Sequence, residues 1–134
     1  MGTRSTIALE FADGTVHQVY CHWDGYLAHN GKILSDLYMD PFKVKELVAL
    51  GDFSSLQETV EETKGTAYHH WRGEELVVRK FLDFAHYVEH GQDEEYDYIL
   101  RNVDGVATWF VRFYATDGAF VTFEEARLAE QTIA

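Results

Sequence analysis

At 134 residues, with 46% hydrophobic and 15% aromatic residues, the chain has enough apolar matter for one packed domain over 1–134, which excludes a disordered tail. Its formal charge of −12 disfavours nucleic-acid backbones and anionic lipid as partners and favours a basic protein surface. A single cysteine excludes an intrachain disulfide, and no stretch approaches the roughly 18 apolar residues a membrane span needs, so a cytoplasmic protein is the expectation.

The opening "MGTRSTIALEF" carries one Arg and no long apolar run, unlike a signal peptide. "STIALEF" (5–11) alternates as a strand, "ADG" turns, and "VHQVYCHW" (16–23) returns. A three-residue loop with Gly14 left-handed pairs Ile7 with Val19 and Leu9 with His17. That register puts Ile7, Leu9, Phe11, Val19, Cys21 and Trp23 on one buried face. After Gly25 the spacing of Leu27, Ile33, Leu34, Leu37 and Tyr38 is helical. Asp40-Pro41 reads as an N-cap followed by proline at the first helical position. It opens a helix with Phe42, Leu47, Val48 and Leu50 inward, which Gly51 stops.

Residues 52–75 read as a long surface loop, with "TAYHHW" (66–71) as an edge strand. "ELVVRKF" (75–81) reads as a strand, and "DFAHYVEHG" as a short helix capped by Asp83. Asp104-Gly105 then marks a two-residue hairpin, setting Tyr96 opposite Phe113, Tyr98 opposite Val111, Leu100 opposite Trp109 and Asn102 opposite Ala107. Thr122-Phe123-Glu124-Glu125 is a capping box for a last helix. The order β-β-α-α-β-α-β-β-α predicts an α+β domain: an antiparallel sheet of four or five strands, built from two hairpins, with helices packed on one face.

"YCHWDGY" (20–26) gathers chemistry at one corner. Cys21 shares the inward face and reads as a buried thiol, while His22 points to the other face, so a Cys–His dyad is disfavoured. Asp24-Gly25 reads as a turn whose carboxylate caps the helix, and Tyr20, His22, Asp24 and Tyr26 would line any pocket at that mouth. Arg4, beside Ser5 and Thr6, could hold an anion. His86 and His90 stand four apart on a short helix, the spacing of a zinc chelate, with His69, His70 or Asp83 as a third ligand. Without a HExxH or Cys-pair pattern they remain weak candidates, and no metal or other cofactor is expected. His69-His70-Trp71-Arg72 could form an aromatic and basic contact patch. No phosphate-cradling glycine loop and no G-x-S-x-G is present. The dense acid at Asp93-Glu94-Glu95, predicted exposed, is the natural contact for a basic partner.

Residues 3–34 resemble the N-terminal half of a family of small, mostly uncharacterised proteins encoded in bacteriophages and prophages. The resemblance rests on Thr3, Arg4, Ser5, Tyr20, His22, Trp23, Asp24, Gly25, Tyr26, Gly31 and Leu34, and continues through "KVKELVALGDFSSL" (43–56). Leu27 stands where relatives often carry proline. The resemblance implies provenance rather than an activity: an acidic accessory protein acting in the host cytoplasm on host defence. The expected function is therefore non-enzymatic inhibition of a host protein (of a CRISPR, restriction or immune-signalling system) by covering its basic nucleic-acid-binding surface. The alternative is a nucleotide-like ligand module or sponge built on Arg4, Tyr20, His22, Asp24 and Tyr26. A second copy of the chain is a further candidate partner.

Overall fold

A computed structural model describes residues 2–133. The chain runs β1 (Ser5–Glu10), β2 (Val16–Cys21), α1 (Lys32–Leu37), α2 (Pro41–Val48), α3 (Val60–Lys64) and α4 (Tyr68–Arg72). It continues through β3 (Arg79–Phe81), α5 (Phe84–His90), β4 (Tyr96–Val103), β5 (Val106–Phe113), β6 (Val121–Thr122) and α6 (Phe123–Ile133). A wide π-helical turn over Leu27–Gly31 leads into α1. The six strands form one sheet in the order β3-β2-β1-β4-β5-β6. No described helix is long and apolar enough to cross a membrane.

Both hairpins take the predicted registers. Ile7 faces Val19 and Leu9 faces His17. Tyr96 faces Phe113, Tyr98 faces Val111, and Leu100 faces Trp109. The turn glycines do what the turns demand: Gly14 and Gly105 have φ of +91° and +85°, a region open to glycine without steric cost. The caps also form. Asp40 accepts from the Phe42 N–H, Asp83 from the His86 N–H, and Thr122 and Glu125 exchange bonds across a capping box.

The sheet is mixed, not antiparallel, because β1 lies parallel to β4, with Ile7 beside Tyr98. Ser5 through Leu9 are all buried, an unbroken buried run, polar at Ser5 and Thr6 and apolar from Ile7 to Leu9, of a central strand covered on both sides. Helices accordingly occupy both faces rather than one. Ile7, Leu9, Val19, Tyr98, Trp109 and Val111 meet Leu34, Val44, Leu47 and Phe123 in the main core. On the reverse face Ala8, Val16 and Ile99 are sealed by Tyr87 of α5, with Phe81, Phe84, Phe110 and Phe120 around it.

Four local expectations fail for identifiable reasons. Phe42 is exposed, since α2 buries Val44, Leu47 and Val48, and a residue two before Val44 lies across the helix. Only Ala67 of "TAYHHW" pairs, with Phe53; Tyr68–Arg72 then form a helical turn closed by left-handed Gly73. The strand expected over 75–81 shrinks to Arg79–Phe81, with Leu76 and Val77 left exposed. Residues 52–75 hold two short helices, one capped by Thr59, whose side chain accepts from the Glu62 N–H.

Candidate functional site

The corner at 20–26 is built by the end of β2. Cys21 is the last strand residue and lies in the core, where burial pushes its thiol up to about 11. Asn30 donates to its sulfur and no histidine does. Beyond it the backbone turns. The Trp23 N–H donates to Ser54 O at 2.9 Å, and Asp24 takes a left-handed φ of 58°. That bend overturns the inward Trp23: its indole is 44% exposed, lying over Gly2 and edge-on to His22. Gly25 is where the turn closes on β1. Its N–H donates to Thr3 O, its carbonyl accepts from Tyr98 Oη at 2.6 Å, and a methyl group there would meet Ser5 Cβ at 2.7 Å. The Asp24 carboxylate caps nothing; its backbone carbonyl accepts from the Asn30 N–H instead.

Of the five corner candidates, three converge. Tyr20 Oη and His22 Nδ1 share a hydrogen bond of 2.8 Å. Burial raises Tyr20 above the ordinary tyrosine range, and the nearby Arg4 charge pulls it back. Asp24 and Tyr26 turn away toward His29, whose ring is 4.0 Å from the Asp24 carboxylate and stands beside Tyr26. Asp52, which no local sequence signal singles out, ties the group to its neighbours. It accepts from the Tyr20 N–H and takes both guanidinium nitrogens of Arg79 at 2.9 Å. Tyr68 follows from α4, with Arg72 stacked 4.7 Å from its ring. Ser5 and Thr6 are buried in the sheet, so they give Arg4 no anion cradle.

The acidic run borders this patch. The Arg4 N–H donates to Glu95, and Glu94 acts on Tyr20. Asp93 and Glu95 are exposed; Glu94 is half-buried, accepting from Gln92 Nε2 at 2.6 Å, which corrects the expectation that all three stand free. Together they line an open cleft of about 400 Å³, with Arg112 and exposed Tyr114 opposite.

Beneath the run lies a buried polar row that alternation alone does not reveal, because it requires the parallel β1–β4 pairing. Tyr20, Thr6, Asp97 and Arg112 sit side by side across β2, β1, β4 and β5. Asp97 accepts from Thr6 Oγ1 at 2.7 Å, the Glu94 N–H at 3.1 Å and Arg112 at 3.3 Å. Gln18 donates to Thr6 Oγ1 and exchanges two bonds with the Gln92 backbone. The Tyr87 hydroxyl, fully buried near Asp97, has no partner.

His86 and His90 stand with ring centroids 5.1 Å apart, and His86 Nδ1 already accepts from the Leu82 N–H. Among the described residues no group of three or more His, Cys, Asp or Glu is placed to hold a metal ion. No family model, no curated protein and no solved structure matches the chain.

Proposed function

We propose that this is a small non-enzymatic binding protein of phage origin that covers a basic, nucleic-acid-binding surface of a host defence protein. The observation that carries the reading is where the charges lie. Arg79, Arg101 and Arg112 are tied to Asp52, Glu10 and Asp97 in partly buried pairs. The surplus carboxylates face outward, among them Glu61, Glu62, Asp93, Glu95, Glu124 and Glu125. An approaching protein therefore meets acid first, and then the Arg4, Tyr20, His22 and Trp23 patch. Tyr, Trp and Arg are the residue types that carry most of the binding energy at interfaces.

Replacing Asp93, Glu94 and Glu95 by Asn, Gln and Gln should slow association with the captured host protein by roughly tenfold at low salt, and the difference should fade as salt rises. Surface plasmon resonance reads this directly, with a melting curve to check that loss of the Glu95 bond to the Arg4 N–H leaves the fold intact. Equal on-rates at low salt would reject the acidic run as the contact.

The second reading is a nucleotide-like ligand module, favoured by the convergence of Arg4, Tyr20 and His22. A ligand bound at one hundred times its Kd stabilises the fold by about 2.7 kcal/mol, an upward shift of several degrees for a domain of this size. A panel of mono- and dinucleotides that leaves the melting temperature within a degree discards it.

A further inference from the structure

β3 is the outermost strand at one end of the sheet, and no described strand pairs with its outer side. Across the first hairpin the Phe11 N–H donates to Thr15 O, so the odd-numbered residues of β2 face β1. The even-numbered ones face the other way. Tyr20 donates there to Asp52 and accepts from the Phe53 N–H, and Gln18 and Val16 oppose Arg79 and Phe81. Arg79 and Phe81 therefore spend their N–H and C=O groups on β2. Val77, in the same phase, turns its own toward Gly51, where a methyl group would lie 3.2 Å from both atoms. Leu76, Val78 and Lys80 are left aiming theirs at open solvent. Their side chains line one cleft of about 300 Å³, as alternate residues of an extended strand do.

Residues 74–80 read Glu-Glu-Leu-Val-Val-Arg-Lys: acid at one end, base at the other, apolar between. We propose that this edge pairs antiparallel with the same edge of a second copy, about a two-fold axis at Val77, joining two six-stranded sheets into one. Such an axis is perpendicular to the sheet and keeps every residue on its own face, so it passes through a residue rather than between two. At Val77 it sets Leu76 opposite Val78, Glu75 opposite Arg79 and Glu74 opposite Lys80. Leu76 and Val78 then form a hydrogen-bonded pair, as their outward groups require. An axis at Val78 would instead set Leu76 against Lys80 and Glu75 against Phe81, so charge selects Val77. Two chains of −12 repel over most of their surface, but this segment carries no net charge and meets its opposite at both ends. A lysine on an open edge ordinarily blunts pairing; here the two-fold supplies it with Glu74. Arg79 keeps its fork on Asp52, and Glu74 meets only Arg72, in a pair half open to water. Lys80 is exposed and enters no ion pair among the described residues. The Glu74 backbone already bonds Tyr68 and His69, which confines the shared ladder to Leu76 and Val78. Glu74 reaches the partner's Lys80 through side chains alone.

A contact this small makes a weak dimer. Sedimentation equilibrium at physiological salt, from micromolar to millimolar protein, should show the mass rise from 15.4 kDa toward twice that value. Glu74→Lys alone and Lys80→Glu alone should each weaken self-association by about tenfold or more, because like charges then face each other at both ends. Mixed in equal amounts, the two variants should associate as wild type does, since each offers the other its opposite charge. Both positions are exposed, and melting curves check that each variant folds. Amide exchange of the wild-type protein gives a readout without substitution: Leu76 and Val78 should slow as concentration rises, while Arg79, already bonded to β2, should not. A mass fixed at 15.4 kDa throughout overturns the proposal and leaves the edge to a foreign strand. Self-association that neither variant weakens, or that mixing them does not restore, overturns it as well.

Discussion

Trp109→Ala should lower the free energy of unfolding by about 3–5 kcal/mol, whereas Trp23→Ala should lower it by about 1 kcal/mol or less. Trp109 is 4% exposed on β5, stacks on Phe123, and donates its indole N–H to Tyr38 O at 3.0 Å. Its removal leaves a cavity and an unpaired carbonyl, two losses that add. Trp23, on the bend after β2, already faces water with much of its ring. Urea unfolding of both variants at a constant m-value decides the matter. A loss at Trp23 comparable to that at Trp109 would place its indole in the core after all. A stable Trp23→Ala protein that no longer holds its partner would mark the Arg4–Tyr20–His22–Trp23 patch as the working surface.

The second large effect is in pH. Burial pushes the Asp97 carboxyl up to about 7, against 3.8 for an ordinary aspartate. The folded protein keeps this proton over a range where the unfolded chain has lost it. The stability contributed by protonated Asp97 is complete below about pH 4 and is lost progressively as pH rises through 7. At about 1.4 kcal/mol per pH unit, wild type should lose about 3 kcal/mol relative to Asp97→Asn between pH 4.5 and 8. Carboxylates away from the Arg112 pair are common to both proteins and drop out of the comparison. Parallel urea titrations at four pH values measure the difference. A difference constant across the range would mean that Thr6, the Glu94 N–H and Arg112 stabilise the charged carboxylate fully despite its burial.

What was legible in the sequence was local. Asp40-Pro41, Asp83, the Thr122 box and the two hairpin turns are decided within four or five residues, by side chains that bond the nearest backbone or by glycines that permit the turn. The registers follow, because a slip by one residue would turn Ile7, Val19, Tyr98 and Trp109 outward together. What was not legible depends on distant partners. Nothing near Trp23 announces that Ser54 will take its N–H and end the strand. Nothing near "TAYHHW" says that Ala67 alone of its residues will pair, with a Phe53 that also bridges to Cys21. The candidate site divides the same way: Tyr20 and His22 share a face by alternation, but Asp52, Arg79 and Asp97 join through pairings of β2 with its edge and of β1 with β4. The acid of residue 97 could be seen in the sequence; its burial could not.

The parallel pairing of β1 with β4 also sets the tempo at which the protein forms. Thr6 and Asp97, bonded side by side in the finished sheet, are 91 residues apart in the chain. At a synthesis rate of about 5–20 residues per second, the first hairpin waits on the order of 5–20 s on the ribosome before its central strand gains a second neighbour. Through that interval the β4-side edge of β1, with Ile7, Ala8 and Leu9 on it, is open to any other extended chain. Closing so long a loop is also slow after dilution from denaturant. The nascent protein is thus expected to lean on chaperones that cover bare strand edges, and to recover poorly when refolded at high concentration.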